Sequence, residues 1–170
     1  AHSYISTPLM LFIKPKPQSI LGLDIGKKRI GLAGCDSLGI TISPLPALKR
    51  GKFQEDLYTL RNHCKERKVR GLIVGLPLDE QGNPSQQSSL CEKYGMRMAK
   101  GLELPLALVN EHSSSWIAAT KHNLHGDRTG QLDSEAAALL VEQWLREGPE
   151  LKPVYMASNK GSHVGRDAGS

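Results

Sequence analysis

Leu21-Gly22-Leu23-Asp24-Ile25-Gly26-Lys27-Lys28-Arg29-Ile30-Gly31 sets a carboxylate inside an apolar run and follows it at once with a cationic turn. A buried, unpaired carboxylate is costly, so Asp24 requires a cation, a hydrogen-bond cage or a ligand. The apolar runs Leu21 to Ile25 and Ile30 to Cys35 flank the Gly-Lys-Lys-Arg turn and predict a β-hairpin. A strand from Ile40 to Leu48 follows, and Pro44 and Pro46 assign it to a sheet edge, because proline donates nothing to a ladder.

Beyond the hairpin the pattern alternates. Phe53, Leu57, Leu60 and Cys64 recur at helical spacing between Lys52 and Lys68. Val69 to Leu76 reads as a buried strand, and a polar loop runs from Pro77 to Gln87. A helix is expected from Ser85 to about Gly101 despite Gly95, a fifth strand from Leu104 to Val109, and a helix from Ser113 to Leu124. Asp133 to Arg146 is a strongly periodic helix that Gly148-Pro149 stops. Parallel neighbours in a sheet need helical crossovers, so this order predicts an α/β fold: a five-stranded mixed sheet with helices on its faces. The expected organisation is a flexible leader over residues 1–19, one domain over 20–149 and a flexible Gly/Ser-rich tail over 150–170.

A chain of 170 residues with 39% hydrophobic content suits one domain. It contains no apolar run of about 18 residues, so no membrane span is expected. The net charge of +5 favours an acidic partner such as nucleic acid. Cys35, Cys64 and Cys91 have no zinc-site spacing and read as reduced thiols in an intracellular compartment. That compartment is the cytoplasm for a bacterial protein. For a eukaryotic one it is a plastid or mitochondrion, since the first 23 residues lack acids as transit segments do. Aromatic content of 5% is poor for a base-stacking binder, and Trp116 and Trp144 fit the apolar stripes of their helices.

Glu111 and Asp133 each lie where a strand or loop meets a helix. With Asp24 they make three carboxylates able to converge on a metal ion. A phosphodiester is anionic and repels hydroxide, so a site that hydrolyses it needs cations to neutralise the phosphate, deprotonate water and stabilise the leaving oxygen. Mg²⁺ or Mn²⁺ meets that need and takes oxygen ligands. Two carboxylates about 4 Å apart repel by roughly 4 kcal/mol at an effective dielectric near 20, so a metal also relieves the site. Plainer roles compete: an aspartate before glycine orders turns, Asp133 serves as a helix cap, and Glu111 gains from a helix dipole. Lys27, Lys28 and Arg29 are expected to follow a phosphate backbone, Asn83 to reach sugar or phosphate from its loop, and Ser113 to donate near Glu111. Lys49, Arg50 and Lys52 read as plain solvated surface.

Four blocks together carry a resemblance: Leu23 to Gly31, Ile73-Val74-Gly75-Leu76-Pro77-Leu78 with Gly82, Asn110-Glu111-His112, and Leu132-Asp133-Ser134-Glu135-Ala136-Ala137. In order and spacing they resemble the YqgF/RuvX family over roughly residues 20 to 147. The resemblance implies a ribonuclease H-like fold with helices on both faces of the sheet. It also implies metal-dependent phosphodiester hydrolysis, with Asp24, Glu111 and Asp133 as catalytic and metal-binding residues. The implied substrate is nucleic acid, RNA ahead of DNA: the 5′ end of precursor 16S-type ribosomal RNA, with branched DNA of the Holliday junction kind as the alternative. A third alternative is a nucleic-acid-binding ribosome-assembly module with weak catalysis.

Two departures from the family pattern bear on that last alternative. Asn110-Glu111-His112 stands where Asp-Glu-Arg is usual, and Gly126 to Gln131 replaces the usual basic approach to the last acid. Substrate contact is assigned to His112 and to Arg128 within that approach, although a histidine matches an arginine's charge only when protonated. Asp24-Ile25-Gly26 also resembles the first phosphate motif of actin and sugar-kinase ATPases. Those enzymes close two such domains around a nucleotide, and this chain has length for one.

Overall fold

A computed structural model describes residues 18–111 and 130–154. The elements, in order, are β1 (Ile20–Ile25), β2 (Arg29–Cys35), β3 (Ile42–Lys49), α1 (Phe53–Arg67), β4 (Gly71–Pro77), α2 (Gln86–Leu102), β5 (Leu106–Glu111) and α3 (Gln131–Glu147). The sheet order is β3-β2-β1-β4-β5. β2 runs antiparallel to both β1 and β3, while β4 runs parallel to both β1 and β5. This is the mixed five-stranded sheet that the sequence predicts, with the proline-bearing β3 on one edge and β1 at the centre.

Alternation along the strands divides the interior into two layers. Leu21, Leu23, Ile25, Ile30, Leu32, Leu72 and Val74 pack with Leu57 and Leu60 of α1 and with Cys91, Met98 and Ala99 of α2. Ile20, Ala33, Cys35, Ile73, Ala107 and Val109 face the other way, onto Ala137, Leu140, Val141 and Trp144 of α3. Helices therefore cover both faces, which is the ribonuclease H-like arrangement. Gly95 costs α2 little because the helix there lies against β4, where a Cβ would come within 2.9 Å of Val74.

Three boundaries differ from expectation. β5 begins at Leu106, after Pro105, and extends through Glu111, so the acid is the last residue of the strand. α3 begins two residues early, with Gly130 at its cap and Asp133 in its first turn. Residues 151–154, expected in the tail, belong to the domain: Lys152 and Leu106 exchange backbone hydrogen bonds of 2.9 Å each. Leu151 packs over Gly71, and Val154 joins the α1/α2 layer. The helix expected over residues 113–124 and the leader over 1–17 lie outside the described residues.

Candidate active site

β1, β4 and β5 run parallel, so their carboxyl ends share one rim of the sheet, the usual place for ligands in α/β folds. The β1–β2 turn closes at that rim, with Gly26 N–H donating to Arg29 O at 2.8 Å. Asp24 is half-buried and pairs across the hairpin with Gly31. Gly22, two residues earlier on the same face, touches Val141 of α3, so Asp24 also points to the α3 side.

Glu111 reaches the same side from two strands away. It follows Ala107 and Val109 in the alternation of β5, both of which pack toward α3. Its carboxylate lies over Gly75 of β4, in the space a Cβ there would take. In the parallel register Leu23 pairs with Val74, so the next step along sets Asp24 beside Gly75. Glu111 thus crosses β4 toward Asp24.

Asp133 arrives from the opposite flank. Its backbone carbonyl rests directly on Gly31, the cross-strand partner of Asp24, and leaves no room for a side chain there. The first turn of α3 is held down by Ser134 Oγ, which donates to Leu45 O at 2.6 Å. Gly130 occupies the cap position with φ near +77° and supplies no side-chain cap, so Asp133 sits inside the turn and is not the cap residue. The Glu111 carboxylate thus approaches Asp24 from the β4 side, and the backbone of Asp133 lies on the β2 side, against Gly31.

Carboxylate oxygens are the donors that hard divalent cations take, so the chemistry of the set fits Mg²⁺ or Mn²⁺. Among the described residues, no group of three histidine, cysteine, aspartate or glutamate side chains is arranged to hold a metal ion.

The other predicted residues are distributed along the same rim or fall outside it. Lys27 and Lys28 are exposed on the hairpin turn, and Arg29 is half-buried, its side chain close to Gly130. Asn83 is exposed in a compact turn organised by Asp79, whose Oδ1 accepts from the N–H groups of Gln81 at 3.0 Å and Asn83 at 2.8 Å. His112, Ser113 and Arg128 lie outside the described residues.

Arg50, read from sequence as plain surface, is built into the rim. Its Nη1 donates to Gly26 O at 2.7 Å, and its guanidinium lies 4.6 Å from the centre of the Tyr94 ring. Nearby, Cys91 Sγ donates to Ile25 O at 3.6 Å. Burial raises the pKa of the Cys91 thiol, and the negative charges of Glu111 and Asp24 raise it further. The field of the acids is therefore felt on the α2 side of the sheet.

The family model described as "RuvX: Holliday junction resolvase" matches residues 18–147. A Prochlorococcus marinus (strain MIT 9313) protein named "Putative pre-16S rRNA nuclease" is 64% identical over 161 residues, 95% of this chain and 100% of that one. A protein of the same name from Synechococcus sp. (strain CC9605) is 57% identical over 158 residues, 93% of this chain and 100% of its own length. Among solved structures, T. thermophilus RuvC in complex with Holliday junction substrate aligns over 80% of this chain and 99% of that one, at 12% identity and a TM-score of 0.49. The family match, together with the two close relatives, establishes that the chain belongs to the RuvX family.

Proposed function

We propose that this chain is a divalent-metal-dependent endonuclease that hydrolyses phosphodiester bonds in structured nucleic acid, with the 5′ end of precursor 16S-type ribosomal RNA as its substrate. What supports the reading is the Glu111 carboxylate lying over Gly75 toward Asp24 on the α3 side of the rim, with the Asp133 backbone resting on Gly31, the cross-strand partner of Asp24. The pre-16S rRNA nuclease name borne by the relatives supports the RNA substrate.

When bound, Mg²⁺ or Mn²⁺ would supply charge neutralisation at the phosphate and a more acidic water. Asp24, held by the central strand, would hold such an ion together with Glu111 and Asp133 as oxygen donors. Lys27, Lys28 and Arg29 on the adjoining turn are assigned to phosphate oxygens, as are Asn83, His112, Ser113 and Arg128 to the remaining substrate contacts. The described helices include none long and apolar enough to cross a membrane. An intracellular location, the cytoplasm in a bacterium, accords with three free cysteines.

The family description favours a second reading, cleavage of branched DNA. A side-by-side assay with precursor ribosomal RNA and a four-way DNA junction, in Mg²⁺ and in Mn²⁺, decides between them. Metal at a hundredfold over its dissociation constant is expected to add about 2.7 kcal/mol of stability. Asp24→Asn is expected to abolish both that stabilisation and cleavage. Cleavage that survives the substitution refutes the assigned site, and tight binding with no cleavage in either metal points to an inactive assembly module.

A further inference from the structure

On the α2 side of the same rim is a groove of about 430 Å³ whose lining includes Lys27, Arg50, Lys93 and Arg97 and, among the described residues, no carboxylate. Ile25 and Cys91 form part of its floor. Lys27 comes from the hairpin turn, Arg50 from the segment after β3, and Lys93 and Arg97 from successive turns of α2. Four cations from three separate parts of the chain thus face one concavity, one residue along β1 from Asp24.

The arginines are held in place by aromatic rings. Arg50 stacks over Tyr94, and Arg97 lies over Phe53 with its guanidinium carbon 3.8 Å from the ring centre. The two rings meet edge to face at 5.8 Å. Tyr94 is fixed in turn, since its hydroxyl donates to Asp56 Oδ2 at 3.3 Å, and the buried Asp56 also accepts from Gly51 N–H. Asp56 is buried, accepts from both donors and does not line the groove. A guanidinium held over a ring keeps further N–H donors for phosphate oxygens, and on Arg50 those are the donors other than the Nη1 hydrogen given to Gly26 O.

We propose that this groove binds the phosphodiester backbone of the nucleic acid on one side of the cleavage point, the strand passing over the Gly26–Lys28 turn from the α3 side of the sheet to the α2 side. Asp24 and Ile25 are consecutive residues of β1 that point to opposite faces, so the acids and the groove are separated by the thickness of one strand. The exposed Leu90 on the groove wall offers an apolar contact for a sugar or base. The inference rests on the nuclease reading for its substrate class, but the cations and their ring supports stand independently of which acid does the chemistry.

The test is equilibrium binding of labelled precursor ribosomal RNA and of a four-way DNA junction, without divalent metal and in the Asp24→Asn background, across a salt series. Lys93→Gln with Arg97→Gln is expected to weaken binding at least about tenfold and to lower the slope of log affinity against log salt by about 1.5, two phosphate contacts' worth. The charge-preserving pair Lys93→Arg with Arg97→Lys is expected to keep the parent's salt slope and to lose less affinity than the neutral pair, the remaining loss reflecting the ring-supported fork at position 97, which separates charge from folding. Lys65→Gln with Lys152→Gln, exposed and outside the groove, is expected to change little. Affinity within about twofold of the parent for the neutral pair, an equal loss in the control pair, or no binding of either nucleic acid by the parent overturns the proposal. Because affinity is read without turnover, failure of the groove and failure of the nuclease reading give different results: intact affinity in the neutral pair beside normal wild-type cleavage rejects only the groove.

Discussion

The Glu111 carboxylate occupies the space above Gly75 that any larger residue would fill. A Cβ at position 75 would fall on Oε1 of Glu111 and come within 3.1 Å of Leu140 Cδ2. Gly75→Ala is therefore expected to push Glu111 off the rim while the strand itself persists. Nuclease activity should drop at least tenfold, for a stability cost of about 1–3 kcal/mol. Cleavage assays paired with urea unfolding check this, and a fully active Gly75→Ala protein would show that the position of Glu111 does not matter.

The first turn of α3 carries Asp133, and Ser134 pins that turn to β3. Ser134→Ala removes the bond to Leu45 O and is expected to cost about 1 kcal/mol. Gly31→Ala should do more harm, because the backbone of Asp133 blocks the new methyl and cannot swing aside as a side chain can. Denaturant midpoints should rank Gly31→Ala well below Ser134→Ala. Stabilities that rank the other way would mean that α3 does not rest on β2 as described.

Trp144 is fully buried, and its Nε1 donates to Pro149 O at 2.6 Å. Trp144→Phe keeps most of the packing but strands that carbonyl, at an expected cost of about 1–3 kcal/mol. Trp144→Ala adds a cavity and should cost about 3–5 kcal/mol. Thermal unfolding of the two variants resolves the hydrogen bond from the packing.

Burial raises the pKa of Cys64 to about 11 and, with the Asp56 charge opposing ionisation as well, that of Tyr94 to about 12. Both groups are neutral when protonated, so folding favours the protonated form. Their contribution is complete below the ordinary values of 9.0 and 10.0 and is lost as pH rises through the raised ones. Stability is expected to be insensitive to these groups near neutrality and to decline between about pH 9 and 12. In Tyr94→Phe the upper part of that decline should be shallower, and the difference in tyrosinate absorbance between the two proteins should emerge only near pH 12.

Much of this architecture is written in local pattern. The hairpin is legible because its two apolar runs and charged turn are contiguous, and β3 is placed at the edge by Pro44 and Pro46 alone. Asp24 is conspicuous because a charge interrupts an apolar strand. Relations between distant residues are not legible in this way. Arg50 looks like part of a solvated basic cluster until Tyr94, on another element, is brought beneath it. Lys93 and Arg97, one turn apart on α2, line a groove only because the hairpin turn and the segment after β3 fold beside that helix. Gly75 reads as a weak point in a strand, whereas its lack of a side chain is what lets Glu111 lie across it. The place of Leu151 and Lys152 is illegible for a related reason: they carry no strand pattern, and Lys152 is positioned by its bridge to Leu106 of β5.

The pairing of Lys152 with Leu106 bears on how the molecule avoids sticking to itself. A sheet with free outer strands offers unpaired amide and carbonyl groups to any passing chain. On one flank the two prolines of β3 remove donors, and on the other the returning segment occupies the start of β5. Cutting the chain after Leu151 would keep the Trp144 to Pro149 hydrogen bond and the packing of Leu151 on Gly71 but uncover that second flank. Self-association through strand addition, detectable as concentration-dependent sedimentation, would then set in well before any loss of the fold.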